Sequence, residues 1–319
     1  MTDFEDRLRR IMKGEVTEDQ IAAFLTDLRN KGETKEELLT AARVLRECMV
    51  KVSVAPDNLV DTCGTGGDEK GTFNISTAAT FVVAGVGVRV AKHGNRSVSS
   101  KCGSADLLEA AGVKIDCEPV VVRRSLQEAG IGFFFAPLFH PAMKNVATAR
   151  KKVGRSIFNL LGPLINPAQP LSQVVGIYDR SRIGIYCEVL RDLGSKHVLV
   201  VCGEDGLDEI TLTGKTSVCE LKEGRINTYE IDPREYDLSL CKSSDLAGRD
   251  AVVNASLLRG ILEGYLCPLR DAVILNAAAA LVAADRAKDL GEGIVLANRS
   301  LDQGKAYECL KKLVEVTNA

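Results

Sequence analysis

The stretch DTCGTGGDEKGTFNIST, Asp61 to Thr77, packs glycines and small polar residues where a strand ends and a helix begins, and its reading decides the fold. Gly64, Gly66 and Gly67 can take positive φ and let backbone N–H groups approach an anion, while Asn74, Ser76 and Thr77 stand where helix N-caps stand. Taken alone, the cluster is either a tight turn or an anion cradle. It matches neither GxxxxGKS/T nor GxGxxG, so it supports neither a P-loop ATPase nor a Rossmann dehydrogenase. The hydroxyl of Ser76 could ligate Mg2+ as P-loop hydroxyls do, or simply cap the helix.

Upstream of the turn, residues 1–55 read as helical: Phe4 to Lys13, Thr17 to Lys31 and Thr34 to Val50. Thr17 and Thr34 are N-caps, and Thr34-Lys35-Glu36-Glu37 is a capping box. Leu38, Ala41, Ala42, Leu45 and Met49 recur at helical spacing, so one face of the third helix is apolar and needs a partner. Downstream the pattern alternates. Strands are expected at Asn58 to Thr62, Val88 to Ala91, Gly132 to Phe135, Gln173 to Tyr178 and His197 to Val201. Helices are expected at Ser76 to Ala84, Ala105 to Ala111, Pro119 to Ala129, Pro141 to Val153 and Arg182 to Leu193. The alternation predicts an α/β layer fold with a mainly parallel central sheet, in which ligands bind beyond the carboxyl ends of strands. Residues 209–232 read as short antiparallel strands, and Asn276 to Asp285 as a helix buried on every side.

Composition narrows the function classes. The 319 residues carry a net charge of −2 and a pI of about 6.1, which gives no global attraction to nucleic acid. Apolar runs break well before the roughly 18–20 residues of a membrane span, and the N-terminus is charged, so a soluble cytoplasmic protein without membrane contact is expected. Ten cysteines are scattered singly with no CxxC and read as reduced thiols. Cys63, inside the glycine turn, is the exception to weigh: a helix N-terminus could lower its pKa, although a small packed residue is the plainer reading.

Two further segments carry chemistry. Lys92, His93, Gly94, Asn95 and Arg96, followed by Ser97, Ser99, Ser100 and Ser104, form a second donor-rich turn after the second strand. Two such turns at one edge of a parallel sheet suit a ligand with two phosphorylated ends. Asp208 and Glu209, in GEDGLDE after the strand HVLVVCG, are either an exposed acidic turn or carboxylates for Mg2+, which binds through one or two of them plus substrate phosphates.

Together GTGGD (64–68), NIST (74–77), KHGNR (92–96), HPAMKNVATARK (140–151), IFNLLGPLINP (157–167) and GEDGLDE (203–209) closely resemble the anthranilate phosphoribosyltransferases of tryptophan biosynthesis, over essentially the whole chain. The resemblance implies a nucleoside phosphorylase/phosphoribosyltransferase fold: a small helical domain, residues 1–55 with helices from about 140–170 packed on it, and an α/β catalytic domain over 56–319. It implies a homodimer through the helical domain. It also implies that phosphoribosyl pyrophosphate (PRPP) meets Gly64, Gly67, Asp68, Thr72, Asn74, Ile75, Ser76, Thr77, Lys92, Gly94, Asn95, Arg96, Ser97, Ser99, Ser100 and Ser104. Anthranilate would lie near Gly64, Asn95 and Arg150, with His93, Pro137, His140 and Met143 lining its approach, and Mg2+ would sit on Ser76, Asp208 and Glu209. No covalent intermediate is expected; His93 either orients the amine or makes a structural hydrogen bond. Thr62-Cys63, Ile165 and Cys202 depart from the family pattern beside the motifs and remove no implied ligand.

Two other readings share the fold. A pyrimidine nucleoside phosphorylase should carry a KHSTGG-type loop, which is absent. A nucleic-acid-binding paralogue should show a basic groove and a degraded anthranilate site, whereas this chain is mildly acidic and keeps Asn95 and Arg150.

Overall fold

Threonine caps open the helices at the N-terminus. In the computed structural model, which describes residues 2–55, 58–97 and 101–319, the Thr2 hydroxyl accepts the Glu5 N–H at the start of α1 (Asp3–Lys13). Reciprocal capping boxes, Thr17 with Gln20 and Thr34 with Glu37, open α2 (Glu18–Lys31) and α3 (Lys35–Cys48). Each cap is worth about 1 kcal/mol. The apolar face expected on α3 is buried. It packs on α1 and on residues 183–192, while Val146, Ala149, Ile157 and Leu161 share one core with α1–α3. Polar ties reinforce that packing: Asn145 donates to the Met12 carbonyl at 2.8 Å, Arg29 to Val153 at 2.7 Å and Arg46 to Leu164 at 2.7 Å.

The alternating part of the chain runs β1 (Leu59–Asp61), α4 (Ile75–Gly85), β2 (Arg89–Gly94), α5 (Ser104–Ala110), α6 (Pro119–Glu128), β3 (Ile131–Phe135), α7 (Ala136–Phe139), α8 (Ala147–Val153), α9 (Ile157–Leu160), β4 (Ser172–Gly176), α10 (Ile183–Asp192) and β5 (His197–Gly203). A hairpin, β6 (Thr216–Lys222) and β7 (Arg225–Ile231), precedes α11 (Ala251–Leu262), α12 (Pro268–Ala283), α13 (Leu290–Asp302) and α14 (Lys305–Asn318). The strands form one sheet in the order β3-β2-β1-β4-β5-β6-β7. The first five are parallel, and β6 and β7 add to the edge antiparallel. The expected class, helices beside a mainly parallel sheet, is the class observed.

Helices cover both faces of the sheet. On one, α12 is buried at every position from Ala272 to Ala283. Its alanines allow close approach: a Cβ on Gly293 of α13 would stand 2.8 Å from the Ala278 carbonyl oxygen. Two of the boundaries that differ from expectation bear on the site. The segment Pro141–Val146 is a 3-10 turn, with α-helix only from Ala147; Pro141 supplies no N–H, and Asn145 is tied to the bundle through Met12. Strand β2 runs on through Gly94, because its pairing with β3 continues to Gly94 opposite Phe135. Lys92 and His93 are thus buried strand residues rather than parts of a turn. Among the described residues no helix is long and apolar enough to cross a membrane.

Candidate active site

The strand order reverses direction between β1 and β4, and ligand sites of open parallel sheets form at the carboxyl ends flanking such a point. The glycine turn leaves β1 there. Thr65 N–H donates to the Gly176 carbonyl at the end of β4, 2.9 Å away, and Gly66 and Gly67 take φ of +65° and +82°. The turn then meets the acidic loop after β5. Gly66 N–H donates to Asp208 Oδ2 at 2.7 Å, and Ser76 N–H, in the first turn of α4, donates to Glu209 Oε1 at 3.0 Å. Gly64 and Gly176 permit the approach: a Cβ on Gly64 would stand 2.6 Å from Asp208 Oδ2, and one on Gly176 only 1.6 Å from the Asp208 carbonyl oxygen. The anion-seeking amides here hold the protein's own carboxylates.

Those carboxylates are electrostatically uneasy. Burial raises the pKa of both, Asp208 further through the neighbouring Asp68 carboxylate and Glu209 through Asp208. Asp68 Oδ1 accepts the Lys70 N–H, while its buried Oδ2 has no hydrogen-bond partner. Lys92, 3% exposed, offsets Glu209 in part; its Nζ donates to the Thr62 carbonyl and reaches Ser76 Oγ at 3.3 Å. An orphaned carboxylate oxygen beside half-buried, mutually repelling acids fits a divalent cation with the Ser76 hydroxyl close by. Among the described residues no group of three or more His, Cys, Asp or Glu side chains is arranged to hold a metal, so the donor set suits an ion that takes ligands from a substrate. Thr62, Gly64, Ser76, Gly176, Glu209 and Asn276 line a cavity of about 10 Å³ there, room for a single water or ion.

The second turn lies on the neighbouring strand. Ser104 Oγ donates to the Asn95 carbonyl at 3.3 Å, against Gly94, where a Cβ would crowd both Ser104 and Phe133. The Arg96 guanidinium pairs with Asp106 and Glu109 of α5, and Ser97 N–H with Asp106. Ser99 and Ser100 lie outside the described residues. His93 stacks obliquely on His140, with their Nε2 atoms 3.1 Å apart. Thr72 bridges to Ala247, and Ile75 and Thr77 are buried in α4. Arg150 lies on α8 with its guanidinium 5.6 Å from the Phe158 ring, and burial alone lowers its pKa. Met143 packs on the helical core, and Pro137 is exposed on α7. Cys63 is no reactive thiol: it is buried, and burial with the adjacent Asp61 carboxylate pushes its pKa up, not down.

Asparagines with no role implied by the motifs hold this edge together. Asn166 donates from Nδ2 to Asp61 Oδ2 and to the Ala91 carbonyl, each at 2.8 Å. Asp61 itself is fully buried, which raises its pKa to about 6 against the pull of Lys92. Asn276 pairs its amide with both backbone groups of Ile210, at 2.9 and 2.8 Å, beside Glu209. The available signal was chemical: Asn276 is the single amide in the otherwise apolar stretch NAAAALVAA.

Comparison with known proteins identifies the arrangement. Residues 3–49 match the glycosyl transferase family, helical bundle domain, and residues 56–307 the glycosyl transferase family, a/b domain. The anthranilate phosphoribosyltransferase of Syntrophobacter fumaroxidans is 52% identical over 99% of this chain and 94% of its own length. That of Bradyrhizobium sp. (strain ORS 278) is 53% identical over 97% and 92%. The crystal structure of anthranilate phosphoribosyltransferase from Thermus thermophilus superposes with a TM-score of 0.94 at 42% identity, over 99% of this chain and 95% of that one. The Saccharomyces cerevisiae enzyme in complex with PRPP and Mg gives 0.91 at 27% identity, over 99% and 93%. With both family domains matched and half its residues shared with the Syntrophobacter and Bradyrhizobium enzymes along nearly its full length, the chain belongs to the anthranilate phosphoribosyltransferase family.

Proposed function

We propose that this chain transfers the 5-phosphoribosyl group from PRPP to the amine of anthranilate, giving N-(5-phosphoribosyl)anthranilate and pyrophosphate, in cytoplasmic tryptophan biosynthesis. The observation that carries the reading is the meeting of Gly66 N–H with Asp208 and of Ser76 N–H with Glu209 at the strand-order reversal. Anion donors and cation ligands there stand side by side, as a metal-bound pyrophosphate requires.

In this proposal Gly64, Gly67, Asp68, Thr72, Asn74, Ile75, Ser76 and Thr77, with Lys92, Gly94, Asn95, Arg96, Ser97, Ser99, Ser100 and Ser104, hold PRPP. They stabilise charge gathering on the pyrophosphate as the ribose becomes oxocarbenium-like. Mg2+ on Ser76, Asp208 and Glu209 would neutralise that leaving group. Arg150, a partly buried guanidinium at a fixed charge, would take the anthranilate carboxylate, with Gly64 and Asn95 near the amine. An aromatic amine is uncharged near pH 7 and attacks as it stands, so positioning replaces a strong base and no covalent enzyme intermediate forms. His93, with His140, Pro137 and Met143, would line the approach.

We further propose the functional division 1–55, with 140–170 packed on it, and 56–319, and a homodimer through the helical face. A groove lined by Phe4, Arg7, Phe24 and Leu28 on these helices is consistent with such a contact. The activity is tested by loss of anthranilate fluorescence with PRPP and Mg2+; an inactive protein that instead phosphorolyses a nucleoside would overturn the reading.

A further inference from the structure

We infer that Asn254, on α11 and not itself among the substrates' implied contacts, is a positioning residue for PRPP: it sets the amide of Asn74 and thereby fastens the two donor-rich turns to each other. Asn254 is 1% exposed. Its Oδ1 accepts the Arg249 N–H at 2.8 Å, and its Nδ2 donates to Asn74 Oδ1 at 3.1 Å. Asn74 Nδ2 then donates to the Cys102 carbonyl at 3.0 Å. A backbone N–H can only donate and a carbonyl can only accept, so the two ends of this chain fix both amides in one orientation.

The consequence falls on α4. Asn74 occupies the N-cap position, yet its side chain makes no cap hydrogen bond; it is spent on crossing to Cys102, at the end of the second turn. The first-turn amides of α4, Ser76 among them, are thereby left for other acceptors. The segment before Asn254 supports the same turn along its backbone. Phe73 N–H donates to the Leu246 carbonyl and Gly248 N–H to the Gly71 carbonyl, each at 2.9 Å. A Cβ on Gly248 would stand 2.5 Å from the Thr72 oxygen, so this contact is backbone against backbone.

The inference rests on Asn74 belonging to the PRPP side, so Asn74→Ala and Asn254→Asp are measured together. Asn254→Asp keeps the acceptor for Arg249 but turns an oxygen toward Asn74 Oδ1. Flipping Asn74 would only move the clash to the Cys102 carbonyl. The expected result is a KM for PRPP raised roughly tenfold, with the KM for anthranilate within about twofold of wild type and a lowered melting temperature, because one buried acceptor is left unpaired. If Asn254→Asp does not fold, Asn254→Ser carries the same test. An unchanged KM for PRPP, an equal rise in both KM values, or failure of both variants to fold overturns the inference. If Asn74→Ala leaves the KM for PRPP unchanged, the assignment of Asn74 to PRPP fails first and the inference with it. A raised value for Asn74→Ala with a normal one for Asn254→Asp rejects Asn254 alone.

Discussion

The imidazoles of His93 and His140 meet Nε2 to Nε2 at 3.1 Å, and His93 Nδ1 lies 2.9 Å from the Gly162 carbonyl. A carbonyl only accepts, so Nδ1 of His93 carries a proton, its Nε2 is the acceptor, and His140 Nε2–H donates. The arrangement requires His93 to be neutral. Burial lowers its pKa to about 4 and that of His140 to about 3.

This pair should make stability fall as the solution is acidified. Between pH 6.5, the ordinary histidine value, and about 4, the unfolded chain binds protons that native His93 refuses, so each such proton costs up to about 1.4 kcal/mol per pH unit as pH drops. Asp61 runs the other way: its pKa is raised from 3.8 to about 6, so its native form binds the extra proton and its contribution is lost as pH rises through that window. Thermal melts of wild type and His140→Gln between pH 7 and 4.5 separate the two. The wild-type curve should fall more steeply with acid; parallel curves would contradict a buried neutral pair.

Arg150→Ala should raise the KM for anthranilate about 10- to 100-fold, the range of a lost charge-assisted hydrogen bond of about 1.5–3 kcal/mol. The KM for PRPP should stay within about twofold. Steady-state kinetics with each substrate varied in turn checks this, and equal effects would move Arg150 out of the anthranilate site.

Asp208→Asn combined with Glu209→Gln should trade function for stability. Removing two half-buried, mutually repelling carboxyl groups should raise the melting temperature of the ligand-free protein, because amide oxygens can still accept from Gly66 and Ser76. The same variant should need more Mg2+ for half-maximal activity. Differential scanning calorimetry and a metal titration read the two effects separately.

Gly176→Ala should damage fold and activity together. The added methyl would overlap the Asp208 carbonyl oxygen, 1.6 Å from the ideal Cβ position, and overpacking of this kind costs about 1–3 kcal/mol or more. Because the displaced backbone carries Asp208, the Mg2+ requirement should rise with the loss of stability. A destabilised variant with a normal metal titration would separate Gly176 from the site.

The helical caps were legible because a threonine and a glutamate or glutamine three residues later satisfy each other locally. The alternation after residue 58 announced the parallel sheet for a similar reason: each strand and helix declares itself within a dozen residues. Lys92 shows where that stops. Its sequence context, KHGNR, looks like a polar turn, and only pairing with the apolar strand β3 keeps it in β2 and buries it. Asn254 and Asn276 lie in no motif, and Asn166, though inside IFNLLGPLINP, carried no readable role, since an asparagine's role depends on which backbone groups it meets.

By itself, then, the sequence determined the local elements: the capped helices, the glycine turn and the chemically suited residues near each strand end. Tertiary structure decided what those residues face. Gly66 and Asp208 are 142 residues apart, and a sheet whose order reverses at β1 and β4 places their loops against each other. The raised pKa values of Asp61, Asp208 and Glu209, and the lowered ones of the histidines, follow from burial, which is a property of the packed environment and not of any residue alone.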